Sequence, residues 1–280
     1  VSMADDGGST GALRDQYGVL PPGDIRRALV ALSEAPTLRE LFNFRFQNGL
    51  GLTGHNFGNL MITALTRITG DFGKAINEAS KILQVEGKVI PVTLEDARLH
   101  AELMDGVVIK GETNIDIPNH DGRIKIKRVW LSPAVSLNPK AAKAIKAADG
   151  IVIGPGDLYT SIMPNLLVKG MRPALKNSKA KKIYAVSLMT KFGETNGFTA
   201  AEFIRVVDAA LGNDVLDYAI INSRRPTLSQ LKKYAEEKST LVEFGDLKTK
   251  PLPIVGDYLR TRSFIRHDPN KLATAVLSLV

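Results

Sequence analysis

The segment Gly150 to Gly170, GIVIGPGDLYTSIMPNLLVKG, constrains the chain more than any other. Ile151, Val152 and Ile153 form a short apolar, β-branched run suited to a buried parallel strand, and Gly154, Pro155 and Gly156 end it. Asp157 to Ser161 brings a carboxylate and hydroxyls, among them Thr160. Ile162 to Val168 then resumes an apolar helical pattern, with Pro164 early enough to cost no internal bond. The order strand, glycine loop, helix start leaves backbone N–H groups unpaired at the positive end of a helix dipole, which suits phosphate. The alternative is a tight strand-to-helix turn of the kind any α/β protein contains, and the segment alone leaves both readings open.

A chain of 280 residues is long enough to bury a large core as one or two α/β units. Its 44% hydrophobic and 24% charged content is that of a globular protein, and no apolar run reaches the roughly 18 residues needed to cross a bilayer. No signal-peptide pattern opens the chain, so a soluble, unexported protein is expected. With no cysteine, disulfides, thiolate metal sites and cysteine nucleophiles are excluded. The net charge of +8 is spread along the chain, and 6% aromatic content gives no interleaving of basic and stacking residues. A solvated basic surface that attracts phosphorylated metabolites is therefore favoured over a nucleic-acid interface.

In chain order, Val1 to Ala4 reads as the end of a strand, so a preceding segment is expected. Asp5 to Gly11, DDGGSTG, reads as an acidic glycine loop. Asp5 and Asp6, adjacent carboxylates beside Gly7 and Gly8, need a cation, an N–H cluster or ligand hydroxyls, or else one of them caps the following turn. Asp24 stands near the start of a helix whose inward face is Ile25, Ala28, Leu29 and Leu32. A second helix is expected over Thr37 to Gln47, with Leu38, Leu41, Phe42 and Phe46 inward. His55, Asn56 and Asn59 open a further helix, where they either bind a ligand or cap it, and a break near Gly70 separates the next. Val89 to Thr93 is expected as a strand, followed by an antiparallel insert from Arg98 to Leu131 with turns at Asp105-Gly106 and His120-Asp121-Gly122. Beyond the central segment, Lys182 to Leu188 and Leu216 to Ile221 read as strands and Thr199 to Leu211 as a helix. Such alternation implies a mainly parallel sheet covered on both faces.

Ligands in such sheets bind beyond the carboxyl ends of the strands. Four loops are expected there: Asp5-Asp6, Gly154 to Ser161, Thr190 to Asn196, and Asn222 to Arg225 with Arg224. Tyr234 lies on a later helix, and Arg266 in FIRHDPNKLA either reaches back to a phosphate or pairs with Asp268.

The stretches DDGGSTGALR, GVLPPGDIRRALVAL, LTGHNFGNL, AADGIVIGPGDLYTSIMPNLLV and FIRHDPNKLA together resemble the bacterial gluconeogenesis factor (YvcK-like) family of the CofD-like superfamily, over nearly the whole chain. The resemblance implies a single domain over 1–280 with a Rossmann-like α/β fold and a bacterial, cytoplasmic protein. It also implies binding of UDP-N-acetylglucosamine or a related nucleotide sugar, linked to cell shape, cell-wall synthesis and gluconeogenic growth. Members of that family begin with a further strand and a GGGTG loop, so the first strand is expected to be missing here. Enzymes of the superfamily transfer a 2-phospholactyl group with the help of magnesium, held by a carboxylate pair and a later Pro-Asp-x-Asp. This chain keeps Asp5, Asp6 and Asp24 but has Arg26 in the last of those positions, and a cation there repels a divalent metal. A regulatory binding protein is therefore expected first, a magnesium-assisted transferase second, and a nucleic-acid-binding protein third. Self-association is left open.

Overall fold

The computed structural model describes residues 1–261 and 264–280. The amphipathic first third folds as five helices: α1 (Gly8–Tyr17), α2 (Gly23–Ala31), α3 (Pro36–Asn43), α4 (Phe57–Thr69) and α5 (Phe72–Ile82). Asn56 and Asp71 cap α4 and α5 by accepting from the backbone N–H of Asn59 and Lys74. Then β1 (Arg98–Leu103) turns at Asp105-Gly106 into β2 (Val108–Lys110), the short α6 (Glu112–Asp116) follows, and β3 (Ile126–Ser132) returns beside β1. The expected antiparallel insert is thus a three-stranded sheet, β2-β1-β3.

The second half alternates as expected. α7 (Pro139–Ala147) leads to β4 (Gly150–Ile153), a π-helical turn over Leu158–Ile162, α8 (Met163–Leu166) and α9 (Met171–Lys176). β5 (Lys181–Ala185), α10 (Ala200–Leu211), β6 (Tyr218–Asn222), α11 (Leu228–Glu236), β7 (Leu252–Gly256) and α12 (Pro269–Leu277) complete it. The strands β4-β5-β6-β7 are all parallel. Side chains alternate across the sheet. Ile183 and Ile220 pack against Leu272 and Val276 of α12, while Tyr184, Ala219 and Ile221 face the main core with Phe203 and Val207 of α10. Helices therefore cover both faces. Among the described residues no helix is long and apolar enough to cross a membrane.

Several expectations are corrected. Val1 to Ala4 and Val89 to Thr93 are not strands, because among the described residues only the Val1 ammonium to Ile90 O (3.0 Å) and Val92 N–H to Val1 O (2.9 Å) join them. The segment 91–92 gives its carbonyls to Asn138 instead. The DDGGSTG stretch is only half a loop, since α1 starts at Gly8 and the Gly11 N–H already donates to Gly7 O at 3.1 Å. The second helix stops at Asn43, and Leu32 and Leu41 face solvent while Val30 lies inside. β4 is the edge of its sheet, which leaves Val152 42% exposed, and β7, which no local sequence pattern marks, forms the other edge.

Tyr184 is wholly buried, and its hydroxyl has no hydrogen-bond partner among the described residues. An unpaired buried hydroxyl opposes folding, so Tyr184→Phe is expected to raise stability by about 1 kcal/mol, measured by urea denaturation.

Candidate functional site

A cavity of about 450 Å³ opens where α1, α2, α6 and the π-helical turn meet. Its geometry begins with the paired aspartates, which part company. Asp5 stays at the cavity, held by the Gly7 N–H (3.1 Å) and the Thr10 hydroxyl (2.9 Å). Beneath it the buried Arg14 guanidinium donates to the carbonyls of Asp5 and Ala97, both at 2.9 Å. Asp6 turns the other way and accepts from the N–H groups of Glu112 (3.2 Å) and Thr113 (2.9 Å) and from the Thr113 hydroxyl (2.9 Å). Asp6 is therefore a latch that pins the start of α6, which brings Glu112 and Asp116 to the cavity wall.

The far wall is the turn that carries Asp157, Thr160 and Ser161. Under it lies Glu194, with a fully buried side chain that accepts from the Tyr159 N–H (3.1 Å) and the Thr160 hydroxyl (3.0 Å). The N–H groups of Ser161 and Ile162 both donate to Asp157 O at 3.0 Å. The cradle expected at this helix start is thus smaller than the sequence implied, since the protein's own acceptors take three of its donors. The N–H groups of Gly156, Asp157 and Leu158, at the entry to the turn, have no partner among the described residues.

Five carboxylates (Asp5, Asp24, Glu112, Asp116, Asp157) and four cations (Arg26, Arg27, Arg45, Lys191) line the cavity. Arg26 points into the protein, to Asn59 Oδ1 (3.1 Å) and Asn43 Oδ1 (2.6 Å), and burial lowers its pKa to about 10, so it remains charged. Burial also raises Asp24, helped by Asp5, and Arg27 at 3.0 Å holds it back. Glu112 is pushed up to about 8, first by burial and then by the fields of Asp5, Asp116, Asp6 and Asp24. Burial raises Glu194 to about 7 against the pull of Lys191.

Glu112 binds its proton more tightly in the folded protein than in the unfolded chain. Its stabilising contribution is complete below the ordinary value of 4.5 and is lost as pH rises toward 8. Glu194 acts with the same sign, over a window that closes near 7. Glu112→Gln is therefore expected to flatten the decline in stability between pH 5 and 8 and to add about 1–2 kcal/mol at pH 8, with partial exposure discounted. Urea melts at the two pH values measure this.

Of the sequence-predicted residues, the cavity gathers Asp5, Gly7, Gly8, Asp24, Asn59, Asp157, Thr160 and Ser161. Gly154, Pro155 and Gly156 stand outside it, with Gly154 and Pro155 exposed and Gly156 O accepting from the Ser187 hydroxyl at 2.8 Å. Asn56 is buried as a helix cap, with its amide on Asn43 O. Asn222 and Arg224 close their own loop: the Asn222 amide donates to Arg224 O, its oxygen accepts from the Tyr258 N–H, and Arg224 pairs with Asp257 at 2.8 Å. The fourth strand-end loop therefore does not reach the cavity. Tyr234 holds the turn before α12 by accepting from the Ile265 N–H and donating to Ile265 O. Arg266 lies on that turn over the Phe264 ring, while Asp268 caps α12. Ile265 of this turn packs with Leu188, which puts the turn beside Ser187, on the outer flank of the glycine loop. Sequence reading overlooked Glu112, Asp116 and Arg45, which no local motif marks.

Most of the carboxylates at the cavity already have partners. Asp5 and Asp6 already accept from N–H and hydroxyl donors, Asp24 pairs with Arg27, and the Lys191 ammonium lies among Asp116, Asp157 and Glu194. A larger crevice of about 880 Å³, between α5, residues 87–94 and α7, takes in none of the strand-end loops.

The family described as 2-phospho-L-lactate transferase CofD matches residues 1–256. The chain belongs to the CofD family. Within it, the chain is 42% identical to the gluconeogenesis factor of Bacillus subtilis, over 100% of its own length and 89% of that protein's. A Nostoc relative is 46% identical over 99% of this chain, which spans only 62% of that relative's length. The crystal structure of a UPF0052-family protein from Bacillus halodurans superposes with a TM-score of 0.92 at 42% identity, covering 98% of this chain and 89% of that one. Like the expected fold, this CofD-family chain is α/β with a parallel sheet and a small antiparallel one.

Proposed function

We propose that this CofD-family chain acts as one domain that binds a nucleotide sugar, UDP-N-acetylglucosamine, in a bacterial cytoplasm, and regulates gluconeogenic growth and cell shape rather than transferring a group. The observation that carries this reading is the juxtaposition of two chemistries at the carboxyl ends of the parallel strands. Three unpartnered N–H groups at Gly156 to Leu158 suit a diphosphate, and the adjoining cavity of carboxylates and guanidinium groups suits the hydroxyls of a sugar. Asp5 is the hydroxyl acceptor in this reading, and Asp6 is not. Arg266, on the outer flank of the glycine loop, supplies charge to the phosphates. The gluconeogenesis-factor names of the relatives support the physiological part.

The transferase reading draws on the family description, but the cations beside these carboxylates, Arg27 on Asp24 and Lys191 among Asp116, Asp157 and Glu194, disfavour a divalent ion. A nucleic-acid reading finds no support in a site lined by five carboxylates. Calorimetry with UDP-N-acetylglucosamine is expected to show one site per chain. Gly156→Asp, which adds an anion beside the unpartnered N–H groups, is expected to weaken it by more than about tenfold. A folded wild-type protein that gives no binding at millimolar ligand contradicts the reading.

A further inference from the structure

Lys191 occupies a place that would otherwise suit a metal ion. The carboxylate oxygens of Asp116, Asp157 and Glu194 lie within 4.8 Å of one another, and the three residues come from α6, the π-helical turn and the loop after β5. The Lys191 Nζ bonds Asp116, lies 2.9 Å from Asp157 Oδ2 and is 3.4 Å from Glu194 Oε1. Two of the three N–H donors of the ammonium go to Asp116 and Asp157, and Glu194 adds an ion-pair contact. A divalent ion on these oxygens would need ligands at about 2.0–2.6 Å and would meet the lysine charge at that distance. The ion and the ammonium exclude each other.

We propose that Lys191 is a tethered cation that takes the place of a resident divalent ion and ties the insert helix to the glycine loop, so that anions bind here without a metal. Held by Asp116 and Asp157, Lys191 acts through the loop that these carboxylates and Glu194 shape, which makes it a positioning residue. Glu194 in turn holds the Tyr159 N–H and the Thr160 hydroxyl, so the ammonium sets the shape of the loop from below. The metal-independence of ligand binding rests on the nucleotide-sugar reading; the occupation of the cluster does not.

Manganese titration followed by electron paramagnetic resonance tests the cluster without any nucleotide. The wild type is expected to show no site tighter than about 1 mM, and Lys191→Met or Lys191→Gln to gain one site at least about tenfold tighter, lost again when Asp157→Asn is added. Lys191→Arg keeps the charge and is expected to gain none. Stoichiometric manganese binding by the wild type that Asp157→Asn removes would overturn the proposal, and so would folded Lys191→Met and Lys191→Gln proteins with no new site. A parallel titration with UDP-N-acetylglucosamine is expected to give wild-type affinities within about twofold in EDTA and in magnesium, and a magnesium-dependent affinity for Lys191→Met. A wild-type affinity that collapses in EDTA overturns metal-independence. An absence of nucleotide-sugar binding in both buffers counts against the binding reading alone, and the manganese result still decides the role of Lys191.

Discussion

Replacing Arg14 by methionine is expected to destabilise the protein by about 3–5 kcal/mol, the largest loss from any single side chain near the site. The Arg14 side chain is 2% exposed, and its guanidinium donates to the carbonyls of Ala4, Asp5 and Ala97 and to the Asp96 carboxylate. Methionine fills the stem but leaves those carbonyls without a donor. Asp96 is 63% exposed and regains water, so the cost sits in the carbonyls and in the loop that they fix. Lysine restores one donor group without the planar fork and is expected to recover only part of the loss. Urea denaturation at pH 7 measures both, and a loss for methionine below about 1 kcal/mol would show that the guanidinium bonds are replaceable.

Gly11→Ala is expected to cost about 3 kcal/mol or more, although alanine is the better helix former. Gly11 lies in the first turn of α1, and a Cβ there would stand 2.1 Å from Asp6 O and 3.0 Å from the Asp6 carbonyl carbon. Both are backbone atoms and cannot rotate away. The helix would have to lift from the Asp5-Asp6 segment, which loosens the Asp6 latch on α6. An ordinary helical glycine replaced by alanine gains up to about 1 kcal/mol, so the sign of the change separates a close backbone approach from a simple propensity effect.

These two positions illustrate what the sequence displayed and what it hid. The parallel strands, the glycine loop and the hairpin insert were legible because each is written locally, as a β-branched run, a Gly-Pro-Gly break or an Asp-Gly turn. The false strands at Val1 to Ala4 and Val89 to Thr93 had the same local signal and lacked only a long ladder partner, which no short window reveals. The cavity was half legible. Asp5, Asp24 and the Asp157 to Ser161 turn announced themselves beside glycines and helix starts. Glu112 and Asp116 arrive through contacts to Asp6 that span more than a hundred residues, and nothing near them in sequence differs from an ordinary solvated helix end. Arg14 reads locally as a helix-surface cation, and only the carbonyls that converge on it make it a core residue. The π-helical turn hid the last piece, since it places Glu194 where an anion was expected and moves the free N–H groups back to Gly156 to Leu158.

A crystal structure of the protein grown with UDP-N-acetylglucosamine tests the nucleotide-sugar site. The expected result is diphosphate oxygens within hydrogen-bonding distance of the Gly156, Asp157 and Leu158 N–H groups, sugar hydroxyls on Asp5 and its neighbours in the cavity, and Lys191 still among its three carboxylates. A nucleotide sugar seated elsewhere, such as the lysine-rimmed crevice beside α5, or a metal ion in place of the Lys191 ammonium, would contradict it.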